Sequence, residues 1–226
     1  DLLERSVFSM IAVNGSCIIH DLEVALAGKT SEDVDASLDS GDFGMAEETS
    51  QFLNRAVLRA GKDKKGLGRA VGELINEEKL PYREYSIMAA GTRLGVPVTV
   101  HVAMGTDIIH MHPGFDPAAC GEASHTDFRI FASNIAELNR GVYINAGSAV
   151  ILPEVFLKAI TLVRNLGYTP EEFTTVNLDF IRHYRPMTNV VNRPVQKKGK
   201  GYSIVGHHEI LIPLIAAGVI EKIGNA

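Results

Sequence analysis

The stretch Val96–Pro113 reads VPVTVHVAMGTDIIHMHP and gathers the residues best suited to chemistry. Val98 to Ala103 has the apolar, β-branched character of a buried strand, with His101 inside it. Gly105, Asp107, His110 and His112 follow at once. A carboxylate and two imidazoles at a strand end can anchor an amine, relay protons near neutral pH or ligate a metal. His110-x-His112 puts both rings on one side of an extended backbone. Asp107, His20 and His207 would complete a metal set, yet no HExxH or paired-cysteine spacing accompanies them, so no metal is expected. His101 reads as a satisfied core histidine, Cys17 as a small buried residue, and Met104, Met111 and Met187 as filler.

These residues need elements to position them. Strand-like runs at 7–13, 98–103, 142–145, 173–178 and 202–205 alternate with helical ones. Leu67, Ala70, Val71, Leu74 and Ile75 repeat at helical spacing, as do Phe52, Leu53, Ala56, Val57 and Ala60. Further helices are expected over 18–27, 83–94, 117–138, 153–166 and 209–220. Pro153 suits a first turn and Gly167 a C-cap. Residues 181–201, with Pro186, Pro194, Gly199 and Gly201, read as a long polar loop. Strands spaced by helices predict a parallel sheet. The expectation is a single α/β domain over 1–226, with a helical insertion over 30–94. Asp1 opens on DLLER, which reads as a helix end, so a preceding βα unit is expected to be missing.

In one such sheet the loops after the strands share an edge, where ligands bind. Those loops carry Asn14-Gly15-Ser16 with His20 and Asp21; Gly105 to His112; Asn145 to Ser148; Asn177 and Asp179; and Gly206-His207-His208-Glu209. Each alone is an ordinary turn. Five polar loops together exceed what turning needs. Small residues let a ligand approach the backbone, and helix N-termini favour anions such as a pyrophosphate. Asp107 or Asp179 suits ribose hydroxyls or an amine. A Ser-His-Asp hydrolase lacks its GxSxG turn, Ser148 lying in AGSAV.

Composition excludes several classes. Hydrophobic residues form 46% of the 226, enough for a sizeable core, and the net charge of −5 argues against a nucleic-acid surface. Cys17 and Cys120 are the only cysteines, which argues against a disulfide framework and for a cytoplasmic setting. The longest apolar run, 210–220, contains Pro213 and is too short to span a bilayer, so no membrane partner is expected.

At these loops the sequence resembles the deoxyhypusine synthase family, and its bacterial deoxyhypusine synthase-like relatives in particular. NGSCIIHDL from Asn14 resembles the family's TAGGVEEDL turn. The 95–113 segment resembles its IPV strand and GDMI-FFH loop, with Asp107 and His112 at matching places. The 141–167 segment, ending LVRNLG, resembles the strand, glycine turn and LMRNG helix. VGHHEILIPL from Val205 resembles YADASLVFPL. The resemblance implies a Rossmann-like NAD-binding fold with helices on both faces of a parallel sheet, and a homotetramer with shared sites. It implies that NAD takes a hydride from an amine and that an aminobutyl group passes through an enzyme lysine. By position, Asn14, Gly15, Ser16, Gly147, Ser148, His207 and His208 would face NAD, and Asp107 and His20 the amine.

The match departs at the family's WGK lysine, where Arg193-Pro194 stands, with Lys197, Lys198 and Lys200 nearby. The family's acidic EFDGSDSGA loop becomes the cationic FIRHYRPMT, and its adjacent histidines become Pro153-Glu154. Deoxyhypusine synthesis itself is therefore not expected. The reading is an NAD-binding protein with redox or aminoalkyl-transfer chemistry on a small amine or amino acid. Asp107 would anchor it, His110, His112 or His207 would move protons, and Glu154 is a second acid. Beside it stand a metal-dependent hydrolase using Asp107, His110 and His112, and a non-catalytic ligand-binding paralogue.

Overall fold

A computed structural model describes residues 1–224. It is an α/β structure whose parallel strands fall in two sheets, and the chain divides into two compact units at Phe131/Ala132. The expected single sheet is thus replaced by a two-stranded and a three-stranded one.

In the first unit, β1 (Ile11–Asn14) pairs with β2 (Val98–His101), Asn14 lying opposite His101. Between them run α1 (Gly15–Ala27), α2 (Val34–Leu38), α3 (Glu47–Asp63), α4 (Leu67–Glu77) and α5 (Ile87–Leu94). α1 starts without a linker because the Asn14 side chain accepts from Cys17 N at 3.2 Å, and it stops at Gly28, whose φ of 71° suits glycine. Ile18, Ile19, Leu22 and Ala25 of α1 meet the buried stripes of α3 and α4, including Leu53, Val57, Leu67, Val71 and Ile75, in one core. Burying each such side chain contributes about 1.5–3 kcal/mol.

α6 (Pro117–Ala136) explains why no third strand joins β2. Val100 N donates to Asp127 Oδ2 at 2.9 Å, Val102 N donates to Ser124 Oγ at 3.0 Å, and Ser124 Oγ donates to Val100 O at 3.0 Å. Helix side chains satisfy backbone groups that a neighbouring strand would otherwise take.

In the second unit, β3 (Val142–Ala146), α7 (Ile151–Asn165), β4 (Thr174–Asp179), α8 (Tyr184–Pro186), β5 (Lys200–Val205) and α9 (His208–Gly224) follow in order. The strands lie β3-β4-β5, all parallel, with Asn145 opposite Asn177 and Asn177 opposite Ser203. The Tyr143 ring stacks on Phe156 of α7, centroids 3.8 Å apart. Residues expected as a polar loop are instead helical from Tyr184 to Val195: α8 passes into a π turn, Met187–Asn192, and a 3-10 turn, Arg193–Val195. Asn189, Val190, Val191 and Val195 are buried by it. Pro186 and Pro194 sit near turn starts, where a missing N–H costs little. α9 is highly apolar yet has no buried residue, and Ile210, Ile212 and Leu214 are exposed. Among the described residues no helix is long and apolar enough to cross a membrane.

Candidate functional site

The loop after β2 brings Asp107 against the start of α1. A Cβ on Gly15 would overlap the Asp107 carboxylate, lying 2.9 Å from its Cγ. A carboxylate therefore already occupies the side of the α1 N-terminus where a pyrophosphate would approach. Asp107 is buried, and its Oδ2 has no hydrogen-bond partner. Desolvation holds its carboxyl above the ordinary range.

His110 sits on the 3-10 turn Ile108–Met111 with its ring edge-on to Phe115, centroids 4.9 Å apart. Its Nδ1 accepts from both Gly105 N and Asp107 N, each at 3.1 Å. Its Nε2 lies 3.9 Å from Asp107 Oδ2 and is likewise buried without a partner. The chain closes on this arrangement because Gly105, at a φ of 92°, turns its N–H back toward the ring.

The other candidates near this loop are engaged elsewhere. His112 Nε2 donates to Gly44 O at 3.0 Å. His20 Nδ1 bonds Thr30 Oγ1 at 2.6 Å, and Thr30 Oγ1 donates to Glu23. Ser16 Oγ donates to Asn14 Oδ1, the atom that also caps α1. His112 thus does not join Asp107 and His110, and the described residues hold no group of three or more His, Cys, Asp or Glu placed to share a metal ion. His101 is buried, bonds Thr99 Oγ1 at 3.1 Å and stands edge-on to Phe131, and burial lowers its pKa to about 4. It is a neutral core residue, as the sequence suggested. Cys17 is exposed, not buried as expected, though partial desolvation still raises its thiol, and burial takes Cys120 to about 11, far from a thiolate nucleophile.

The second unit carries its own strand-end group. Asn145, Asn177 and Ser203 form a polar row across the three strands, and Asp179 extends it by one pleat on the same face. Asn145 Nδ2 donates to Asn177 Oδ1 at 2.8 Å and to Ser148 O at 2.9 Å. Asn145 Oδ1, Asp179 Oδ2 and Ser203 Oγ are buried without partners. Asp179 Oδ1 accepts from Ile181 N at 3.3 Å. Gly147, at a φ of 70°, turns the chain, and Ser148 Oγ accepts from Leu152 N in the first turn of α7. His208 Nε2 donates to Leu178 O at 3.1 Å and packs on Gly147, while His207 stacks on Phe180.

Sequence reasoning named Asn145, Asn177 and Asp179 as loop residues but missed Ser203. Its signal was a polar residue at alternate positions of a strand, which only the register aligns with Asn177. Glu154 accepts from Asn189 Nδ2 at 2.8 Å and pairs with Lys158 and Arg185, outside this row. Lys197 and Lys198 both pair with Glu171, just before Lys200 opens β5. They lie at the N-terminal end of the parallel strands, opposite the C-terminal edge at which such sheets generally bind ligands.

Compared with models of known protein families the chain matches none, and a comparison with curated proteins finds no match either.

Proposed function

We propose that the protein is a deoxyhypusine synthase-like binder of NAD that takes a small amine or amino acid as substrate. One observation carries the nucleotide half: β3–α7–β4 is a strand–glycine turn–helix–strand unit ending in Asp179, whose Oδ2 is buried and unpartnered. In dinucleotide-binding units an acidic residue at the end of the second strand accepts from the ribose, and the phosphates lie at the helix N-terminus. Asp179, Asn145 and Ser203 offer acceptors for hydroxyl or amide donors here, with Gly147 and Ser148 at the turn. His207 and His208 flank this edge. The α1 turn fits a pyrophosphate less well, because the Asp107 charge is already there. When bound, NAD supplies a hydride acceptor.

The substrate half rests on Asp107, a desolvated carboxylate with a free oxygen, which favours a hydrogen-bond donor such as an amine. Aminoalkyl transfer is not part of the reading: Lys197 and Lys198 are paired to Glu171, and Arg193 donates to Asn189 Oδ1 at 2.9 Å. The hydrolase reading loses ground because His112 Nε2 is committed to Gly44 O, away from the Asp107–His110 pair. A cytoplasmic homotetramer remains the proposed setting, supported by the uncovered apolar residues of α9.

Titration of the full chain with NAD, followed by calorimetry and melting temperature, tests this. Binding in the micromolar range should raise the melting temperature, and Asp179→Asn should weaken it about ten-fold. Absence of NAD binding to the wild type overturns the nucleotide half.

A further inference from the structure

Asp107 Oδ2 and His110 Nε2 form a buried pair with a fixed donor on one side and an acceptor on the other. Two backbone N–H groups, of Gly105 and Asp107, donate to His110 Nδ1. A ring nitrogen that accepts carries no proton, so the neutral ring carries its proton on Nε2. The alternative tautomer, or the doubly protonated ring, would set an N–H against two N–H groups in a buried loop. His110 is therefore a fixed donor.

That donor lies 3.9 Å from Asp107 Oδ2, too far for a direct hydrogen bond, and the two side chains are 6% and 5% exposed. Neither atom has any other partner. A buried donor and a buried acceptor with no other partner each stay desolvated without compensation until something bridges them. An atom about 2.8 Å from both would sit about 2 Å off the line joining them. An ammonium nitrogen does not suit that position, because it has only donors and would oppose the His110 N–H. A hydroxyl oxygen suits it, donating to Asp107 and accepting from His110.

We infer that the Asp107–His110 pair selects a hydroxyl group, so that the small ligand is an amino alcohol or hydroxy amino acid rather than a polyamine. This rests on the reading above that a small ligand is held at Asp107, and it changes the group that is held. His110 is then the residue that sets specificity, and Asp107 the anchor.

The experiment compares ethanolamine, ethylamine and ethylenediamine by calorimetry on the full chain, with nitrogen-15 NMR of the histidine rings alongside. Ethanolamine should bind about ten-fold more tightly than the other two. His110→Phe, which keeps a ring against Phe115, should remove that preference, and Asp107→Asn should weaken ethanolamine binding at least ten-fold. The NMR spectrum should show His110 neutral and protonated on Nε2. Equal affinities for the three probes overturn this inference and leave the amine reading standing. No binding of any probe overturns both. A proton on Nδ1 overturns the inference alone, whether or not the variants fold.

Discussion

Gly15 and Asp107 occupy one space: the hydrogen of the glycine leaves room for a carboxylate that any Cβ would displace. The first residue of α1 and the residue that caps the 3-10 turn after β2 are therefore matched in size. Gly15→Ala should push Asp107 out of its buried position and cost about 1–3 kcal/mol, since overpacking at a buried site forces backbone shifts. Combining it with Asp107→Gly should recover most of that loss, because the two residues are in contact. Urea unfolding of the two single variants and the double variant checks this. Additive losses would show that the two positions do not share the space.

Asp127 links α6 to both β2 and α4 through Val100 N and Gly68 N. Desolvation outweighs these hydrogen bonds and raises its pKa to about 7. The folded state then keeps a proton that the unfolded chain, titrating near the ordinary carboxyl range, loses first. The sign follows: this group's contribution to stability falls as pH rises from about 4 to about 7 and is level above that. Asp127→Asn cannot ionise, so its stability relative to wild type should improve across that window. Asp127→Ala should lose about 2–4 kcal/mol, because it strands two buried N–H donors. Unfolding curves at several pH values decide the matter. A constant difference between wild type and Asp127→Asn from pH 4 to 8 would contradict it.

Much of the first unit was legible because its helices carry long apolar stripes at a single period, as Leu67 to Ile75 shows. The division into two sheets was not legible. It depends on Ser124 and Asp127, two ordinary helix residues whose role appears only once α6 lies along β2. The helix at 184–195 was hidden by Pro186 and Pro194, whose tolerance depends on where a turn begins. At the candidate site the residue types singled out Asp107 and both histidines equally. What separates them is the Gly105 turn, which fixes the His110 ring, and Gly44, which draws His112 away. Neither relationship has a signal in the spacing of the residues themselves. The polar row in the second unit shows the same limit, since Asn145, Asn177 and Ser203 are aligned by strand register alone.

His112 ties the segment 29–43, which is exposed or half-buried throughout, to the loop that carries Asp107. Gly44 is the anchoring point: its O accepts from His112, and its N donates to Glu32 at 2.8 Å. His112→Ala should loosen this segment while costing the whole protein only about 1 kcal/mol. A glutamate-specific protease should then cleave near Glu32 and Glu47 several-fold faster than in wild type. An unchanged cleavage rate with an unchanged melting temperature would show that His112 does not hold the segment.

α9 leaves apolar side chains to water along its length. Ile210, Ile212 and Leu214 are 65%, 46% and 66% exposed, on a helix none of whose residues is buried. Ile210 and Leu214, four residues apart, share one face of the helix, and an exposed apolar face on a folded chain marks an association surface more often than a free one. If copies of the chain meet through α9, a charge in that face would be buried unpaired on association and would oppose it strongly. Ile210→Asp and Leu214→Asp should therefore shift the protein to a smaller species in light scattering after size exclusion. Melting temperatures measured at low concentration should change little, because these side chains make no buried contact within the chain. A wild type that runs as a monomer at micromolar concentration would remove the oligomer from the reading while leaving the Asp107 and Asp179 sites to be judged on ligand binding alone.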